Sequence, residues 1–288
     1  MKRSKIKEKY LQKINNNLNN SESNNINNSN NSVNNYINTQ NNPQDNKQPK
    51  IIKRVNREAN FIKSMLRVFL LLFGTSIPMI ILALFGINYL NFSQGAKIIY
   101  TIICDIIVLG VILYMYRRDL KKDFKNFFNH NFLYNIAFAL AFWFAGLIVM
   151  IASNFVISII TNGTIAQNEE SVRELIEKFP LYMLLNITIY APLTEELIFR
   201  KSFRDFIQNK YLYILTSGLV FGFLHIISSL TDITGILFLI PYSALGIAFA
   251  AAYEESDNIF TTITIHSLHN ALSFIIMMIG QYLSWKKF

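Results

Sequence analysis

The stretch 132–160, FLYNIAFALAFWFAGLIVMIASNFVISII, runs without a single Asp, Glu, Lys or Arg. About 20 apolar residues are enough to cross the hydrocarbon of a bilayer as a helix. In lipid the backbone can satisfy its own polar groups only as a helix or a closed barrel. Reading outward from this run, comparable ones occur at about 68–87, 98–116, 181–206, 211–229, 233–253 and 259–280. They predict an all-α fold, a polytopic membrane helix bundle of about seven transmembrane helices. Composition agrees, because 52% of the 288 residues are hydrophobic and only 16% charged. The apolar residues also lie in long runs and not at the amphipathic spacing that wraps a soluble core.

The first 60 residues are different in kind. They open on Lys2, Arg3, Lys5, Lys7 and Lys9 and pass into a tract dominated by Asn and Ser. Such a segment buries too little apolar surface to offset its ordering entropy, so residues 1–60 are expected to form a disordered, Asn-rich tail preceding an integral membrane domain at 61–288. No apolar core stands in the first thirty residues, so no cleavable signal peptide is expected.

The net charge of +9 does not point to nucleic acid. The basic residues flank the apolar runs instead of forming one interleaved binding face, which is the pattern of membrane topology. Lys53, Arg54, Arg57 and Lys63 before the first run, and Arg117, Arg118, Lys121, Lys122 and Lys125 after the second, place the N-terminus in the cytoplasm. Glu169, Glu170, Glu174 and Glu177 then fall outside. Lys286 and Lys287 fall there too, against the rule, which leaves the span count open by one. The lone cysteine, Cys104, precludes an intrachain disulfide and a cysteine metal cluster, and inside an apolar run it reads as packing.

Between Pro192 and Asn270 the late runs carry ionisable residues that lipid penalises. A charged side chain at bilayer mid-depth costs roughly 2.5 to 3.5 kcal/mol on insertion scales, so such groups face one another or a water-filled cavity. Three elements stand out: Glu195-Glu196-Leu-Ile-Phe-Arg200, Phe221-Gly-Phe-Leu-His225 and His266-Ser-Leu-His-Asn270. Residues four apart on a helix share a face, so Glu196 pairs with Arg200 in the favoured order and Glu195 points elsewhere. Pro192 removes a backbone donor beside the carboxylates and loosens the helix there. If the runs around it form a hairpin turning at Asn209 and Lys210, Glu195 and His225 lie about equally far from the turn and meet at one depth. Asn270 sits one turn from His266, but His269 lies near the same face, so spacing alone does not choose between the two histidines. Taken singly, each element has a plain reading: a helix-end ion pair, a packing histidine, a His–Asn bridge between helices. Their conjunction is what indicates a site.

At these residues the chain resembles the CPBP family of CAAX proteases and bacteriocin-processing enzymes, also described as type II CAAX prenyl endopeptidases, lysostaphin resistance protein A-like or Abi proteins. The resemblance covers about 180–275 and rests on Glu195-Glu196-x-x-x-Arg200, Phe221-x-x-x-His225 and His266-x-x-x-Asn270 in order. It implies an intramembrane endopeptidase in which Glu195 and His225 activate a water, His266 and Asn270 hold the developing oxyanion, and Glu196 and Arg200 position them. The expected partners are membrane lipids and a peptide or protein substrate, prenylated or a leader peptide. The expected location is the cell membrane of a prokaryote or the endoplasmic reticulum of a eukaryote. No cofactor is favoured. Zinc is the alternative, with Glu195, His225 and His266 as its ligands, since the family has also been classed as metalloproteases; no HExxH pair is present. Two other functions use the same residues: a non-catalytic membrane immunity or binding protein, and a proton-coupled transporter. Against the transporter, the polar residues cluster in the C-terminal half and no internal repeat is apparent.

Overall fold

Polar caps punctuate the apolar runs. The Ser93 hydroxyl accepts from Ala96 N at 3.2 Å and starts a long helix; Asn209 accepts from Tyr211 N and Leu212 N, each at 3.0 Å, and starts another. Such caps satisfy backbone donors that a helix leaves open at its first turn. The computed structural model describes residues 76–128, 131–230 and 233–285, with Ile62 and Met65. They belong to the unit Arg57–Phe288; the other unit, Met1–Asn56, lies outside the described residues. The expected disordered tail, the basic residues before the first run and most of the 68–87 run lie outside them too.

Among the described residues the structure is helical and contains no strand. In chain order the helices are α1 (Ser76–Leu84), α2 (Gln94–Phe127), α3 (Phe132–Ile160), α4 (Gln167–Lys178), a composite helix α5 over 180–206, α6 (Lys210–Ile226), α7 (Leu239–Ser256) and α8 (Ile259–Trp285). Five segments are long and apolar enough to cross a membrane: Gln94–Phe127, Phe132–Ile160, Lys210–Ser229, Ile233–Ser256 and Ile259–Leu283. Leu133, Phe144, Ile148, Ile151, Phe155 and Ile159 of α3 are exposed, an apolar surface suited to lipid and far larger than a soluble monomer presents. The chain is an integral membrane protein.

Five of the seven expected runs are seen as segments long and apolar enough to cross a membrane. Of the two further runs, 68–87 is described only in part. The other, 181–206, is helical but does not form one regular span. Short α-helical pieces alternate with two π-turns, Asn186–Tyr190 and Leu197–Ser202, which bracket Ala191–Glu196. A π-turn admits one extra residue per turn and is found often at functional sites. In the first of them Ala191 N–H bonds back to Asn186 O, five residues away. The next donor in that register would be Pro192, which has no N–H. The carbonyl of Ile187 is therefore left for a partner on another helix.

The core is built on close backbone approach. A Cβ added at Gly218 of α6 would lie 2.6 Å from Ile247 N, and one at Gly222 would lie 2.7 Å from Ser243 N. Gly246 answers from α7, where an added Cβ would meet Gly218 O at 2.8 Å. On the opposite side of α7, Gly146 of α3 packs on Ala244 and Ala248. Small residues of this kind let membrane helices approach closely where the hydrophobic effect between them is absent. The α7–α8 junction is tied to α2: Asp257 takes the left-handed conformation at φ 45°, Asn258 Nδ2 donates to Asp123 O at 2.8 Å, and Ile259 N donates to Asp123 Oδ2 at 3.3 Å. Cys104 is buried and free, as its packing role requires.

Candidate active site

The π-turn Leu197–Ser202 and the helical turn before it place Glu196 and Arg200 wholly inside the bundle. Both are 0% exposed, and Arg200 Nε donates to Glu196 Oε2 at 2.9 Å. Arg200 Nη1 donates to Ser217 Oγ of α6 at 2.8 Å, and the Ser217 hydroxyl in turn donates to Phe199 O at 2.7 Å. The guanidinium also lies against the ring of Phe221, 5.0 Å from its centroid. Each nitrogen of this buried cation thus donates to an acceptor, Nη2 to Glu196 Oε1 at 3.4 Å, the kind of compensation a charge out of water requires.

Glu196 has a second partner. Its Oε1 lies 2.9 Å from Nδ1 of His266 on α8. A carboxylate at this position accepts, so Nδ1 carries the proton and Nε2 faces the other way. His225 on α6 is oriented by the same logic, its Nδ1–H donating to Phe221 O at 2.8 Å. Both Nε2 atoms converge on Glu195 Oε2, that of His225 at 3.8 Å and that of His266 at 3.9 Å. Glu195 Oε2 is buried and has no hydrogen-bond partner. Aromatic rings hold the imidazoles in place, with His225 stacked on Tyr242 and His266 on Phe249 at centroid distances of 5.1 and 4.7 Å.

Glu195 and His225 stand in the wall between two cavities. The larger, about 540 Å³, includes His266, His269 and Asn270. The smaller, about 340 Å³, is lined by Val108 and Ile112 of α2 and by Tyr190, Thr194 and Leu224. Asn168 of α4 borders both.

The structure thus brings together Glu195, Glu196, Arg200, His225 and His266. Asn270 lines the same cavity and donates Nδ2–H to Ile187 O at 2.7 Å, the carbonyl that Pro192 cannot engage. His269 stands apart from the carboxylates and receives the Trp143 indole N–H at Nδ1, 3.3 Å away. Two residues escaped the sequence reading. Ser217 carries no charge to draw attention in an apolar run. Asp105 was legible in principle, an acid inside the 98–116 run, but it had no motif around it.

One carboxylate oxygen and two imidazole nitrogens are the donor types of a catalytic zinc site, and a carboxylate on His266 Nδ1 is a familiar support for such a ligand. Yet among the described residues no three His, Cys, Asp or Glu side chains converge in a metal-holding arrangement. Separations of 3.8 and 3.9 Å leave room for a water hydrogen-bonded to both groups.

Comparison with known proteins bears on this arrangement. The chain is 34% identical over 36% of its length to an uncharacterized protein of Mycoplasma capricolum, covering 29% of that protein. It is 25% identical over 46% of its length to the UPF0177 protein YvdC of Lactococcus lactis, covering 49%. It is 28% identical over 40% of its length to the Bacillus subtilis protein named "Putative membrane peptidase YdiL", covering 44%. The chain therefore spans less than half the length of each of these relatives. No solved structure matches it. Residues 177–272 match the Rce1-like type II CAAX prenyl endopeptidase family, a stretch that contains Glu195, Glu196, Arg200, His225, His266 and Asn270.

Proposed function

We propose that this protein is an intramembrane endopeptidase that hydrolyses a peptide bond with a water held between Glu195 and His225. The observation that carries the reading is the partnerless, buried Oε2 of Glu195 facing two imidazole nitrogens across gaps of 3.8 and 3.9 Å. A carboxylate in that state is an acceptor in search of a proton. Water bound there gives one up to Glu195 as its oxygen attacks the scissile carbonyl, and Glu195 returns it to the leaving amine.

The tetrahedral oxyanion forms on the His266 and Asn270 side of the larger cavity. With Nδ1–H committed to Glu196, His266 presents Nε2 to that oxygen. The Asn270 amide, held at one N–H by Ile187 O, supplies a donor. Donors fixed before the reaction stabilise the developing charge without reorganising. No resident metal is part of the proposal.

The chemistry fits a peptide reaching the site from within or beside the membrane, and the bacterial relatives favour the cell membrane, with the N-terminus in the cytoplasm. The test is the protein purified in detergent and assayed against a prenylated C-terminal peptide and a panel of unmodified leader peptides, beside Glu195→Gln and with and without chelator. Cleavage by the wild type alone, unaffected by chelation, is the expected result. Equal cleavage by Glu195→Gln overturns the mechanism, and loss on chelation restored by zinc replaces it with a metal-dependent one. A wild type that cleaves nothing while binding a peptide as tightly as the variant does favours the binding-protein reading.

A further inference from the structure

Asp105 lies in the first of the five apolar segments, on α2 and outside residues 177–272. An acid inside such a helix needs partners, and its partners all come from α5. Tyr182 donates its hydroxyl to Asp105 Oδ2 at 2.9 Å and Asn186 Nδ2 donates to the same oxygen at 3.2 Å. Asn186 also reaches the Tyr182 hydroxyl at 3.2 Å. Asn186 and Tyr190 are the first and last residues of the π-turn Asn186–Tyr190. Asp105 therefore holds the first residue of the turn whose next carbonyl, Ile187 O, holds Asn270.

The carboxyl itself borders neither cavity, whereas Tyr182 and Asn186 line the larger one and Tyr190 the smaller. We propose that Asp105 is a positioning residue that locks the π-turn Asn186–Tyr190 and, through Ile187 O, sets the Asn270 amide for its work in the site. A regular α-helical turn would re-pair the backbone and move Ile187 O away from Asn270. The Asp105 contacts across to α2 oppose that relaxation.

The inference rests on the peptidase reading for its kinetic consequence but not for its structural one, so two readouts are needed. Hydrogen exchange of the peptide spanning 186–191 is measured on the purified full chain for the wild type, Asp105→Ala and Asp105→Asn. Both well-defined hydrogen bonds fall on one oxygen, so the amide oxygen of Asn can replace it. Faster exchange in Asp105→Ala and near wild-type exchange in Asp105→Asn are expected; unchanged exchange in Asp105→Ala overturns the proposal whether or not any peptide is cleaved. If Asp105→Ala does not fold, Tyr182→Phe, which removes one donor to the same oxygen, is read in its place by the same criterion.

With a cleaved peptide in hand, Asp105→Ala should lower kcat by about tenfold or more with KM unchanged, the scale of one lost buried partner, and Asp105→Asn should restore it. In an Asn270→Ala background, Asp105→Ala should cost nothing further, because both changes remove the same placement. Losses that multiply would show that Asp105 supports the bundle generally and not Asn270.

Discussion

His266 Nδ1 lies 2.9 Å from Glu196 Oε1, and both side chains are buried. This contact joins the last helix to the Glu-Glu turn and determines which way the imidazole faces. Because Arg200 already engages the other oxygen of Glu196, the carboxylate is shared between one cation and one imidazole, and neither of its oxygens is left to act as a base. The neighbouring Glu195 keeps its Oε2 free.

Glu195→Gln keeps the shape of the side chain and removes the base. Peptide cleavage should fall by about 10²- to 10⁴-fold, the range of a positioned general base, while thermal unfolding in detergent stays near that of the wild type. A substantial fall in melting temperature would show that Glu195 supports the fold instead.

Of the two histidines on one face of α8, only His266 reaches both carboxylates. His266→Gln should abolish cleavage, whereas His269→Gln, which preserves an acceptor for the Trp143 indole, should retain most of it. Steady-state kinetics on the two variants separates them; the reverse order would reassign the site to His269.

Removing one partner of a buried ion pair leaves the other charge uncompensated, at a cost of roughly 3 to 5 kcal/mol. Arg200→Met should therefore lower the thermal midpoint sharply and cut the folded yield. Ser217→Ala strands one guanidinium N–H and the Phe199 carbonyl, and a smaller loss of about 1 to 3 kcal/mol is expected. Unfolding curves measured by tryptophan fluorescence in the same detergent rank the two, and a neutral Ser217→Ala would remove that residue from the support of the site.

Gly222→Ala tests the α6–α7 contact. The added methyl meets the Ser243 backbone at 2.7 Å, so the helices must separate, at an expected cost of about 1 to 3 kcal/mol. His225, one turn further along α6, should shift with them, and cleavage should fall along with the melting temperature. Gly280→Ala on α8, where an added Cβ meets nothing within 4 Å, is the control and should be silent in both assays.

The helical class and the membrane character were legible because lipid imposes a length and an apolarity that the runs state directly. Glu196 with Arg200 was legible because an i, i+4 pair is a local property of a helix. The meeting of Glu195 with His225 also followed from equal depth on a hairpin. The π-turns inside the 181–206 run were not legible because apolarity does not distinguish an α-turn from a π-turn; only the missing donor of Pro192 hinted at them.

By itself the sequence determined that the chain spans a membrane as helices and carries a costly set of acids, histidines and an asparagine in its late runs, since these follow from local composition and helical period. Only the tertiary structure decided that His266 and not His269 faces the carboxylates, that the second oxygen of Glu196 is taken by His266, and that Asp105 and Ser217 belong to the surroundings of the site. Each of those depends on which helix stands opposite, and that is set by the close glycine packing of α6 on α7 and by the π-turns of α5, which rotate the polar groups toward partners far away in the chain.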